Sequence, residues 1–261
     1  MKYLGGKQRL GKHISPVLID LWDKNNLNGY LEPFCGSLGV YKNMTHINAK
    51  KFMANDYHPD LIQMWKEVQA GTLKFPDSIS EEQYIEAKLL DSPNAYKAFV
   101  GFGMSFGGRY FGAYSQKYLN GKKEDFCKEM GNSMRRIGPV IQKVKFTNKD
   151  YRKLNPKNMM VYCDPPYAVT KFPIKYRTGT KKYDVFDNEE FWDIMRKWSK
   201  HNLVVVSETT APTDFVEIWN TEKYRSAAQS KKTRFNEKSD KPSVTHSVEK
   251  LFVHESIIHL L

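Results

Sequence analysis

Several features that define common protein classes are missing from this chain of 261 residues. It has only 3 cysteines, Cys35, Cys127 and Cys163, which are scattered and form no CxxC spacing. They fit free thiols in a reducing compartment and argue against a disulfide framework or a cysteine-rich zinc site. The 7 histidines form no HxxxH pair, so the sequence gives metal catalysis no support.

Long apolar runs are also absent. None approaches the roughly 20 residues that a helix needs to cross a bilayer. The first residues, MKYLGGK, lack the apolar segment of a signal peptide. We therefore expect a cytoplasmic protein that does not enter a membrane.

Acidic residues are in deficit. The chain has 41 Lys and Arg against 29 Asp and Glu, a formal net charge of +12. Such a basic excess favours a polyanionic partner, with nucleic acid first and an anionic membrane surface second.

The most informative stretch is an apolar run, Met159–Cys163, followed by Asp164, Pro165, Pro166 and Tyr167. The run predicts a buried strand, which the two prolines must end because they cannot donate backbone hydrogen bonds. Asp164 and the Pro165 carbonyl could each accept one N–H of a planar group with an exocyclic amine, while Tyr167 stacks on its ring. The alternative is an ordinary turn at the end of a strand.

A second motif lies upstream. A strand at residues 30–32 leads to a turn with Gly36, and we expect a helix to begin near Gly39. The next predicted strand ends at Asp56, 20 residues after Gly36, where an acid commonly binds the hydroxyls of a ribose. Asp56 could instead cap the following helix.

Glycine, aromatic and basic residues are interleaved in the segment from Gly101 to Gly112, which includes Arg109 and Tyr110. This composition suits a surface loop that contacts phosphates and bases, although its aromatic residues could equally fold onto the core. Lysines and arginines follow in two further polar segments, namely Lys117, Lys122, Lys171, Lys175 and Arg177.

Strands and helices alternate elsewhere, with a strongly apolar strand at residues 203–207 and closing strands expected at 248–253 and 256–261. The pattern predicts one α/β domain formed by residues 1–62 and 144–261, with an inserted region at 63–143.

In order, the motifs KYLGGK, EPFCGS, Asn55-Asp56, SFGGRYFG and DPPY resemble the Dam-like DNA adenine-N6 methyltransferases, particularly the short phage and bacterial members. The resemblance extends from Lys2 to about Trp219. It implies a Rossmann-like sheet that uses S-adenosylmethionine and no metal, with a mostly helical target-recognition insertion. One departure concerns Leu38, because many relatives carry a glycine at that position.

The resemblance also implies roles for individual residues. The predicted cofactor-binding residues are Tyr3, Lys7, Glu32, Phe34, Gly36, Asp56, Asp150, Tyr151 and Asp164. The predicted catalytic residues are Asp164, Pro165, Pro166 and Tyr167, and the predicted DNA-binding residues are Arg109, Tyr110, Lys117, Lys122, Lys171, Lys175 and Arg177.

We therefore expect a methyltransferase acting on adenine in double-stranded DNA in a bacterial cytoplasm, as a monomer or a weak dimer. Alternatives are methylation of cytosine N4 or of RNA adenine, and an inactive DNA-binding relative. A NAD-dependent enzyme is disfavoured because GxGxxG is missing. The sequence does not predict the recognition site.

Overall fold

The computed structural model describes residues 1–115, 118–119, 122–123, 125–166, 176–177, 183–184, 186–225 and 245–260. Within these ranges, seven strands form one sheet in the order β10-β11-β9-β6-β1-β2-β5. The strands of this sheet are β1 (Gly29–Glu32), β2 (Lys51–Asn55), β5 (Val144–Thr147), β6 (Met159–Cys163), β9 (Leu203–Glu208), β10 (Phe215–Arg225) and β11 (Thr245–His254). Two small hairpins pair β3 (Tyr118–Leu119) with β4 (Lys122–Lys123) and β7 (Tyr176–Arg177) with β8 (Tyr183–Asp184).

The sheet is mostly parallel. Strand β1 pairs in parallel with β2 and β6, β2 with β5, and β6 with β9. Only β11 runs in the opposite direction, since it is antiparallel to both β9 and β10. Every residue of β6 and β9 is buried, as expected for central strands covered on both faces.

Six α-helices are described: α1 (Gly11–Asp23), α2 (Pro59–Ala70), α3 (Glu81–Leu89), α4 (Ala95–Gly103), α5 (Phe126–Ile137) and α6 (Asn188–Ser199). Because side chains alternate along a strand, β6 contributes residues to two hydrophobic cores, one on each face of the sheet. Met160 and Tyr162 belong to the core that contains α1, α2, α4 and α5, whereas Val161 and Cys163 pack with residues of α6.

The insertion predicted at 63–143 contains α3, α4, α5 and most of α2. Its boundaries remain a prediction, because α2 crosses the expected boundary and packs against both α4 and β5.

Two local predictions were wrong. No α-helix begins near Gly39; a single 3-10 turn, Tyr41–Asn43, takes its place. The segment expected to be a strand from residue 256 is a 3-10 helix, Glu255–Leu260, as far as the structure describes it. Here the Nδ1 atom of His254 accepts the backbone N–H of Ser256 and turns the chain away from the sheet.

Candidate active site at the carboxyl ends of the strands

The predicted motifs meet where the strand order reverses, between β1 and β6. In parallel sheets this crevice, outside the carboxyl ends of the strands, is the usual place for a ligand. The turn with Gly36 follows β1, Asp56 follows β2, and Asp164 follows β6. The topology therefore brings together residues that are up to 128 positions apart in this set.

The side chain of Asp56 fixes the turn after β1 by a hydrogen bond to the backbone of that turn. Its Oδ2 atom accepts the backbone N–H of Gly36 at 3.0 Å, and its Oδ1 atom accepts that of His58, also at 3.0 Å. Burial raises the pKa of Asp56 to about 6, although these backbone hydrogen bonds oppose the rise. The cap of α2 is the side chain of His58, so Asp56 does not have the direct capping role considered above.

Leu38 departs from the glycine of many relatives and adopts a left-handed backbone with φ of 56°. For a residue with a branched side chain this conformation costs about 1–2 kcal/mol. Full burial of Leu38 in the core contributes in the opposite direction. At the neighbouring Gly39, a Cβ atom would lie 2.7 Å from the backbone carbon of Lys7, so only glycine lets the N-terminal turn approach this closely.

That close approach brings the buried Lys7 up to Asp164, at the edge of the crevice. Its Nζ atom lies 2.5 Å from Oδ1 of Asp164 and 3.3 Å from Oε1 of Glu249. Ser207 donates a hydrogen bond of 2.5 Å to the same oxygen of Glu249. Burial would lower the pKa of Lys7, but the two carboxylates outweigh it, so the pKa is raised and the ammonium stays charged.

Glu32 ends β1 and is fully buried beside this group. The hydroxyl of Tyr30 donates a hydrogen bond of 2.8 Å to its Oε1 atom. Burial raises the pKa of Glu32 to about 8, so its carboxyl group is predominantly protonated at neutral pH.

Aromatic rings line the other face of the crevice. The rings of Phe34 and Tyr151 lie 5.0 Å apart between centroids, and Phe186 lies 5.8 Å from Tyr151. The neighbouring Asp150 accepts hydrogen bonds from the guanidinium of Arg152, which lowers the pKa of this carboxyl group. The predicted cofactor residues Phe34, Asp150 and Tyr151 thus form one cluster.

Tyr3 lies on the opposite wall. Its ring is half-buried, and its centroid lies 5.1 Å from that of Phe102 in α4. The ring also packs against Gly36, where an added Cβ atom would lie 3.0 Å from it. The N-terminal motif therefore connects the turn after β1 with the inserted helices.

The glycine-rich insertion loop exposes one of its two predicted DNA-binding residues, Arg109, whereas the other, Tyr110, is half-buried. The Tyr110 hydroxyl donates a hydrogen bond of 2.6 Å to Asp60, and its ring packs 4.3 Å from that of His58. Arg109 is exposed, and so is Phe106, which has 74% of its surface accessible. Tyr110 is thus folded onto the core in this structure, and Phe106 is the aromatic residue of the loop that faces solvent.

Several predicted residues lie outside the part of the chain that the structure describes, namely Tyr167, Lys117, Lys171 and Lys175. The side chains of Lys122 and Arg177 also lie outside it. Pro165 is buried and Pro166 is half-buried directly after Asp164.

Glu249 and its contact with Lys7 were missed by sequence reasoning. A signal was nevertheless present, because Glu249 shares its strand face with the core residues Leu251 and Val253. An acid in such a position needs a buried partner.

The described residues contain no group of three or more His, Cys, Asp or Glu side chains that could hold a metal ion. No helix in the described part of the chain is long and apolar enough to cross a membrane.

A mostly parallel seven-stranded sheet with helices on both faces and acids at its carboxyl ends defines a Rossmann-like methyltransferase fold. Residues 3–99 match the model of the family described as D12 class N6 adenine-specific DNA methyltransferase. This match confirms the resemblance to the Dam-like adenine methyltransferases, a family of enzymes that methylate adenine N6 in DNA. A search of curated proteins found no significant match.

Proposed function

We propose that the protein transfers a methyl group from S-adenosylmethionine to the N6 amine of adenine in duplex DNA. The observation that carries this proposal is the ion pair of 2.5 Å between Lys7 and Asp164. It joins the N-terminal Gly-Gly-Lys turn to the Asp-Pro-Pro motif across the crevice. The family match covers the first of these motifs, and the sheet topology supports the second.

The residues around the turn fit the proposed cofactor. The Oγ atom of Ser37 is buried and has no hydrogen-bond partner among the described residues, so a polar ligand group at this point would satisfy it. The aromatic cluster around Tyr151 offers flat surfaces for an adenine ring. The residues proposed to hold the cofactor are Tyr3, Lys7, Glu32, Phe34, Gly36, Asp56, Asp150, Tyr151 and Asp164.

The cofactor would supply an electrophilic methyl group on a positively charged sulfur: the amine nitrogen would form the new N–C bond as the C–S bond breaks, sulfur would keep the electron pair, and the methylated amine would lose one N–H proton to solvent. The protein's part is positioning and electrostatics. We propose that Asp164 and the Pro165 carbonyl each accept an N–H of the target amine. Conjugation with the ring makes this nitrogen a poor nucleophile, and the two hydrogen bonds would orient its lone pair.

Lys7 holds Asp164 in position through their ion pair, on the buried side of the carboxylate. Asp164 retains 19% of its side-chain surface, whereas Lys7 retains 5%. The carboxylate therefore faces the crevice while the ammonium fixes its position. Tyr167 keeps its predicted role in stacking on the target base.

An amine inside a duplex cannot be reached, so the adenine must be flipped out, at a cost of a few kcal/mol. The net charge of +12 favours phosphate contacts that offset this cost. Arg109 is exposed and available for such contacts. Tyr110, Lys117, Lys122, Lys171, Lys175 and Arg177 stay predictions for DNA binding.

The direct test replaces Asp164 with Asn and measures methyl transfer from tritiated S-adenosylmethionine to duplex DNA. The amide keeps an acceptor oxygen but loses the negative charge that strengthens the hydrogen bond to the reacting nitrogen, so transfer should slow by about 10²–10³-fold, while DNA binding by fluorescence anisotropy should change little. Asp193→Asn is the matched control, because Asp193 is an exposed acid paired with Arg196 on α6. Near-normal transfer by the Asp164 variant would contradict the proposed clamp.

The identity of the product decides between the remaining alternatives. Mass spectrometry of nucleosides from methylated duplex DNA should show N6-methyladenine. N4-methylcytosine, or methylation of an RNA substrate alone, would replace the proposed substrate. Cofactor binding without any transfer would indicate an inactive relative.

A further inference from the structure

A row of polar groups crosses one face of the sheet at its carboxyl end. Glu249 in β11 and Ser207 in β9 are fully or almost fully buried, and Asp164 follows the adjacent β6. All three lie on the face that carries α1 and the inserted helices. The group is therefore continuous across three neighbouring strands.

Lys7 is shared between two carboxylates in this row. Its Nζ atom is 2.5 Å from Asp164 and 3.3 Å from Glu249, so the contact with Asp164 is the tighter one. Accessible side-chain surface falls from 19% at Asp164 to 5% at Lys7 and 1% at Glu249. Only Asp164 faces the crevice, and Glu249 acts from the buried side.

Charge sharing has a consequence for Asp164. A lysine paired with a single buried carboxylate would neutralise it, and a neutralised pair is a weaker acceptor of further hydrogen bonds. A second carboxylate takes up part of the positive charge of the ammonium. The hydrogen bond from Ser207 fixes that second carboxylate in place.

On this basis we propose that Glu249 is a positioning residue for methyl transfer. By sharing Lys7, it leaves Asp164 with enough negative charge to accept the N–H of the target amine. This inference rests on the proposed function of Asp164. It assigns to β11, beyond the matched residues 3–99, a part in the chemistry.

The test replaces Glu249 with Gln, which has the same shape but lacks the charge. Single-turnover methyl transfer is measured with saturating S-adenosylmethionine and duplex DNA. The rate should fall by roughly 10–100-fold. This is the loss found in metalloenzymes when a residue that orients a ligand of the metal is replaced, and Glu249 orients Asp164 through Lys7 in an analogous way. Because both substrates are saturating, this rate reports the transfer step and is independent of changes in their Kd, and Glu249→Asp should recover part of the rate.

Glu217→Gln is the matched control. Glu217 lies on the neighbouring β10 and pairs with Lys250 at 2.7 Å, so this change also removes a carboxylate from a lysine pair, but away from the crevice. Its transfer rate should equal that of wild type.

Ser207→Ala provides a second variant if Glu249→Gln does not fold. It removes one hydrogen bond to Glu249 without changing the charge, and it should lower the transfer rate less than Glu249→Gln does. The proposal is overturned if the folded variants at both positions transfer methyl groups at the wild-type rate and lose only thermal stability. Inactivity of the wild-type enzyme on adenine would instead refute the proposed function.

Discussion

The buried carboxyl group of Glu32 makes stability depend on pH in a defined direction. Its pKa is raised from 4.5 to about 8 by burial, so the folded protein binds a proton here that the unfolded chain releases. The stabilisation from this proton is complete below pH 4.5 and is lost as pH rises toward 8.

The magnitude follows from the size of the shift. Between its two pKa values the group changes the free energy of unfolding by about 1.36 kcal/mol per pH unit. From pH 5 to pH 8 the loss is therefore about 3–4 kcal/mol. That is a large fraction of the roughly 5–15 kcal/mol by which domains are stable.

Glu32→Gln isolates this contribution, because the amide resembles the protonated acid and can still accept the hydrogen bond from Tyr30. Urea unfolding, followed by the fluorescence of the 5 tryptophans, is measured for both proteins at several values between pH 5 and pH 8. Other titrating groups cancel in the difference. The wild type should lose about 3–4 kcal/mol relative to the variant across this range.

Parallel curves for wild type and Glu32→Gln would refute the reasoning, since they would mean that Glu32 is ionised in the folded protein. Glu217→Gln is again a suitable control. Hydrogen bonding by Lys250 lowers the pKa of Glu217, so Glu217 stays ionised across this range and the stability curve of its variant should parallel wild type.

Two further predictions concern the insertion loop. Gly108→Ala should destabilise the protein more than Gly107→Ala. Both glycines have a positive φ, which costs an alanine about 1–2 kcal/mol. Only at Gly108 would the added Cβ atom also lie 2.5 Å from the backbone of Lys2. Equal melting temperatures for the two variants would contradict this. Phe106→Ala should leave stability unchanged but weaken duplex binding by about 1–3 kcal/mol through loss of stacking on bases. Leu89→Ala, which truncates a side chain 80% exposed, should leave binding intact, and equal binding by the two variants would contradict a role for Phe106.

Local chemistry made some elements predictable. The strand Met159–Cys163 was predicted with its observed bounds, because its residues are uniformly apolar and two prolines enforce its end. β10 escaped prediction because, as an edge strand, it leaves Val216 exposed and lacks a continuous apolar pattern.

The expected helix near Gly39 failed for a non-local reason. A Cβ atom on Gly11 would lie 2.1 Å from the Gly39 carbonyl oxygen, so α1 presses directly on this turn. That crowding depends on tertiary packing, which a sequence window around Gly39 cannot contain.

Site prediction divides in the same way. The turn with Gly36 and the acid at Asp56 follow a spacing rule, and the structure joins them by a hydrogen bond. The contact between Lys7 and Asp164 spans 157 positions, and no spacing rule connects the two. Glu249 could have been suspected only from its place among apolar neighbours.

The place of β11 in the sheet also constrains how the protein folds. β11 follows β10 along the chain but lies between β9 and β10, so β10 cannot join the sheet until β11 has inserted. Contacts between strands that are not consecutive in the sequence, such as β9 and β11, form slowly, because the chain loses conformational entropy in closing the loop before the contacts are made. Since β11 also carries Glu249, the Lys7 site would reach its final charge balance only late in folding, when the sheet is complete.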